Sequence, residues 1–124
     1  MRAFVLATML LAAPMAHAAD KPNPADYTIT VHVISSLSTS QYDGSLNLPE
    51  QVLQVVIDGQ SMQLTGSSMG VLALGDYPAR LSTKVHGPRN PNTYDVYKGY
   101  DVLLPDGNVR TYTVTRLGPA VPNP

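Results

Sequence analysis

Gly66-Ser67-Ser68-Met69-Gly70 spells G-x-S-x-G, and Asp76 and His86 come later in the chain. A serine raised on a strained strand-to-helix turn, with an acid and a histidine further on, is the arrangement of an α/β-hydrolase nucleophile. That chemistry needs a helix behind the serine and a parallel sheet beneath it. No helical periodicity follows Gly70, and serine with glycine is also the composition of a turning loop. A triad is defined by geometry rather than spelling. The plainer reading of Ser68 is therefore a loop residue, and hydrolysis is the rival reading.

Other groups offer weaker chemistry. His32 and His86, with Asp76, Asp95 or Asp101, have the donor types of a metal site. No H-x-H or H-x-x-x-H spacing supports one, so no metal or cofactor is expected. Asp95 with Asp101, or Asp76 with Glu50, would serve as an acid pair only at a fixed separation in space. Asp43, Asp58 and Asp106 each precede a glycine and are accounted for as turn residues.

The tyrosines carry more information. The chain has seven, no tryptophan, and one phenylalanine, Phe4. Tyrosine therefore does the aromatic work of the core, with hydroxyls reaching for the rim. In the segment 94–104, strand alternation puts Tyr94 and Tyr100 on one face and Tyr97 on the other. Tyr94, Tyr97 and Tyr100 are the candidate contact residues, suited to a glycan or a protein partner.

The elements that must position these groups are strands. Tyr27, Ile29, Val31 and Val33 alternate against Thr28, Thr30 and His32, which marks a half-buried strand. Ser35 to Ser45 is small and polar and reads as a loop, or a loop holding a weak edge strand. Residues 51–57 and 60–64 flank Asp58-Gly59, the pattern of a tight hairpin. Further strands are expected over 77–85, 94–104 and 109–117. Pro78 limits its strand to an edge or a strand start, and Gly99 marks a bulge or bend. Pro105-Asp106-Gly107-Asn108 is a turn. Pro78, Lys84 and Lys98 are also suited to guarding open strand edges, where a partner strand would otherwise add.

The fold expectation is a single all-β domain, a small antiparallel β-sandwich or open barrel of about six to seven strands. Its expected extent is 26–117, after a Pro-rich lead at 19–25 and before a flexible tail at 118–124. Ala73-Leu74-Gly75-Asp76-Tyr77, Leu104-Pro105-Asp106-Gly107 and Arg110-x-Tyr112-x-Val114 resemble a group of small exported bacterial β-proteins. The resemblance covers the C-terminal half. It implies a fold and a location and no activity.

Residues 1–18 have the order of a secretory signal peptide: Arg2, an apolar run from Ala3 to Met15, then Ala16-His17-Ala18 before the cleavage point. The run is shorter than the about 20 residues that a membrane span needs, so no integral span is expected after cleavage. Cleavage would leave roughly 100 residues, enough for one domain. The chain has no cysteine, which excludes disulfides, thiolate nucleophiles and Cys-bound metals. Export without disulfides points to a bacterial periplasmic or secreted protein. Eight Lys and Arg against nine Asp and Glu, with no basic cluster, argue against nucleic acid. The expected function is a non-enzymatic exported binding or interaction module. The alternatives are a small secreted hydrolase and a purely structural cell-envelope component.

Overall fold

The computed structural model describes residues 21–120. The expected leader, 1–18, and the last residues of the expected tail, 121–124, lie outside the described residues. After a 3-10 turn at Pro24–Asp26 come six strands: β1 (Ile29–Asp43), β2 (Leu46–Ile57), β3 (Gln60–Gly66), β4 (Gly75–Leu81), β5 (Gly99–Leu103) and β6 (Val109–Ala120). All pair antiparallel, in the order β1-β2-β3-β6-β5-β4, with β4 returning to β1. The expected antiparallel all-β domain is present. Its sheet closes into a barrel, which removes the open edges of the paired region. The order β4-β1-β2-β3 is a Greek key, and residues 67–74 are the connection that makes it.

Local sequence explains the turns. Asp58 (φ 50°) and Gly59 (φ 77°) both take positive φ, as a type I′ hairpin turn requires. Gly107 (φ 90°) closes the β5–β6 turn, where its N–H donates to the Leu104 carbonyl at 2.9 Å.

Alternation fills the barrel. Val31 and Val33, Leu53, Val55 and Ile57, Met62 and Leu64, Tyr77 and Ala79, Tyr100 and Val102, and Tyr112 form one buried cluster. Within each strand the members are spaced by two, so each strand turns one side inward.

Four expectations about extent change. The 77–85 strand becomes β4, Gly75–Leu81, with residues 82–85 outside any strand. Ser35–Ser45 is mostly strand, because β1 runs on to Asp43 paired with β2. The 94–104 strand shrinks to five residues, and residues 82–98 cross as irregular chain. The 109–117 strand lengthens to Ala120, which pairs with Gln60.

Gly99 is a site of close approach. A Cβ there would stand 2.6 Å from Cγ2 of Val85 and would collide with the Tyr112 carbonyl oxygen.

Candidate contact surface

The structure separates the tyrosine trio. Tyr94 is 91% exposed and Tyr97 39%. Tyr97 packs over Gly87 and donates to Asp95 at 3.3 Å. Tyr100 is 4% exposed and belongs to the barrel core. Tyr100, one of the expected contact residues, faces inward with Val102 rather than lying at the surface. Tyr94 and Tyr97 precede β5, so no common strand aligns them with Tyr100.

The hydrolase geometry is also dispersed. Ser68 lies in the β3–β4 connection, with no helix behind it. Among the described residues, neither histidine hydrogen-bonds to it. His32 instead faces Asp76 across β1 and β4, Nδ1 to Oδ1 at 2.6 Å, with both side chains about half exposed or more. A carboxylate can orient an imidazole; among the described residues no hydroxyl is hydrogen-bonded to this pair. No group of three metal-ligating side chains occurs among the described residues. His86 lies exposed in the 82–98 crossing.

Asp101 is structural. It is buried on β5, between Arg80 on β4 and Thr111 on β6 in the register. Thr111 Oγ1 donates to it at 2.7 Å and Arg80 Nε at 3.4 Å. Burial pushes its pKa up, but hydrogen bonds from Thr111, Ser82 and Arg80, with the Lys84 charge, outweigh it and hold the carboxyl below its ordinary value. The Arg80 guanidinium also lies over the Tyr27 ring, 4.8 Å from its centre. The row therefore straps the N-terminal segment onto the outside of the barrel.

On the other side of β1 and β2, the 67–74 connection crosses the barrel mouth on three ties. Gln51 Nε2 donates to the Gly70 carbonyl at 3.2 Å, Ser36 Oγ accepts from Leu72 N at 2.8 Å, and Tyr77 OH donates to the Ala73 carbonyl at 2.6 Å. Beneath them Tyr112 OH donates to Gln51 Oε1, which Arg110 also reaches at 3.3 Å.

Beyond this mouth, β1 and β2 continue as a two-stranded ribbon, with Tyr42 opposite Asn47 and Gln41 opposite Leu48. The ribbon and the crossing together expose Ile34, Leu37, Tyr42, Leu46, Leu48, Met69, Val71 and Leu74, most of them by well over half. No Lys, Arg, Asp or Glu occurs in 33–42, 44–49 or 65–75. Large exposed apolar patches mark contact surfaces. Composition hid this one, because the five serines between positions 35 and 45 suggest a loop. The available signal was Leu37, Leu46 and Leu48, none of them next to a charged residue in the sequence.

A separate cleft of about 360 Å³ lies against the outside of β4 and β5. Pro22, Pro24, Pro78, Leu103, Leu104 and Pro105 line it, and Lys21 and Asp76 stand at it. No helix among the described residues is long and apolar enough to cross a membrane.

Comparison of the chain with protein-family models, curated proteins and solved structures finds no match.

Proposed function

We propose that this chain is an exported, non-enzymatic interaction module that makes its contact through the ribbon and crossing at one end of the barrel. The observation that carries the reading is a set of eight exposed large apolar side chains on the ribbon and the crossing, with Leu37, Leu46 and Leu48 on one ribbon face and Tyr42 on the other, in segments 33–42, 44–49 and 65–75 that hold no charge. Uncharged apolar surface with an aromatic has the composition of an interface core. The crossing is tied to the barrel by Gln51, Ser36 and Tyr77, so the surface is held before any partner arrives. Preorganisation of that kind lowers the entropic cost of association. The leader pattern of residues 1–18 supports export to the periplasm or beyond. The hydrolase reading has less support, because the His32–Asp76 pair has no bonded nucleophile. The test is capture from periplasmic extract by the tagged chain, compared with a Leu37→Ser, Leu48→Ser double variant. Partners retained only by the parent chain support the reading. Equal capture by both chains, or none by either from a chain that is itself monomeric, overturns it.

A further inference from the structure

The ribbon has two free edges, and they differ. Asp43 and Leu46 flank a two-residue turn in which Gly44, at φ 63°, takes the first central position, the place of glycine in a type II′ turn. Such a turn closes on a hydrogen-bonded pair, and antiparallel pairing alternates bonded and non-bonded pairs. Gln41/Leu48, Thr39/Glu50 and Leu37/Val52 are thus bonded pairs in the register. Ser36, Ser38, Ser40 and Tyr42 aim their N–H and C=O groups away from β2. On the β2 side the outward positions are Asn47 and Pro49, and Pro49 has no N–H to offer. The β2 edge is therefore blunted. The β1 edge has no proline, no lysine and no charge from Ile34 to Tyr42, so the usual guards against strand addition are missing. Strand β4 pairs with β1 only as far as Val33. Among the described residues, no loop backbone bonds to Ser38–Tyr42 either.

We infer that the β1 edge from Ser38 to Tyr42 pairs antiparallel with the same edge of a second copy of this chain. An antiparallel edge is complementary to itself about a two-fold axis, and an isologous contact closes at two copies. The edge sets no like charges against each other, and its two serines let two backbones approach to ladder distance. The joined sheet runs β2-β1-β1-β2, which places Leu37 and Leu48 of both ribbons on one continuous face. The contact belongs to the surface proposed above and rests on that reading, with the second copy as its occupant.

Sedimentation equilibrium of the purified chain tests it, with Ser40→Pro and, separately, Ser38→Lys with Ser40→Lys. Each change acts on an outward position and leaves the β1–β2 ladder bonded. The parent chain is expected to be dimeric at about 100 μM. Both variants are expected to raise the dissociation constant at least about tenfold, with circular dichroism unchanged. A monomeric parent chain overturns the inference, as does a dimer that neither variant weakens. If the parent is monomeric but extract capture still depends on Leu37 and Leu48, only the self-pairing fails. If that dependence is also absent, the interaction reading fails with it.

Discussion

Tyr112 on β6 donates its phenolic hydrogen to Oε1 of Gln51 on β2, sixty-one residues earlier in the chain. Both side chains are almost wholly buried. Gln51 passes the connection to the Gly70 carbonyl, so one phenol links two walls of the barrel to the crossing that covers its mouth. Tyr112→Phe keeps the ring against Gly66 and removes only the hydroxyl. The expected loss is about 1–3 kcal/mol in urea unfolding, because Gln51 Oε1 loses a buried donor. Faster amide exchange over residues 67–74 should accompany it.

The same hydroxyl gives an alkaline limb. Burial raises the Tyr112 pKa above its ordinary 10.0, opposed in part by Arg110. The folded chain therefore holds this proton more tightly than the unfolded chain. The contribution is fully present below the unfolded value and is lost as pH rises through the folded one. Urea midpoints of the parent chain should fall on the alkaline side more steeply than those of Tyr112→Phe. Parallel curves would refute the assignment.

Asp101 works in the opposite sense. Its folded pKa lies below the ordinary 3.8, so its contribution is present above that value and disappears as pH falls through the folded one. Asp101→Asn should lower stability at neutral pH by about 1–3 kcal/mol, since Arg80 loses its buried carboxylate. The gap between variant and parent should narrow in acid. A gap independent of pH would show that packing rather than charge is lost.

Two glycines should differ in kind. Gly107 has φ 90° and open space where a Cβ would stand. Gly107→Val should cost about 1–3 kcal/mol from backbone strain alone. Gly99 has no room, because its Cβ would meet the backbone of Tyr112 and the Val85 side chain. Gly99→Ala should be the worse change although alanine is the smaller residue. Thermal melts of the two variants decide the order, and the reverse order would overturn the account.

Ser68→Ala and His32→Gln should each change stability by no more than about 0.5 kcal/mol, as surface changes do. A serine-directed phosphonate should leave Ser68 unmodified, since no imidazole is bonded to it. Labelling at Ser68 would revive the hydrolase reading.

Much of the barrel is legible in single strands. Tyr27–Val33 alternates with period two, and Gln51–Leu64 does so around an Asp-Gly turn; both keep that register and facing in the barrel. The misplaced boundaries share a cause. Ser35–Ser45 has the composition of a loop, yet β2 supplies a partner to each residue from Ser35 to Asp43, and backbone pairing overrides weak propensity. Residues 94–97 alternate like a strand but pair with no neighbour, because the chain meets β6 only from Lys98, whose carbonyl accepts from Val114 N at 3.0 Å, onward.

Alternation and turn chemistry act over a few residues, so the sequence by itself determined the inward faces of Ile29–Val33 and of the 51–64 hairpin, the turns at Asp43-Gly44, Asp58-Gly59 and Asp106-Gly107, and the all-β class. Which strands meet across the chain is a long-range matter. Closure of β4 onto β1, the Gln51–Tyr112 bond, the burial of Tyr100 and Asp101, and the bare edge from Ser38 to Tyr42 all follow from that pairing. Only the tertiary structure decided them, because each depends on a neighbour ten to sixty or so residues away that no local pattern can name.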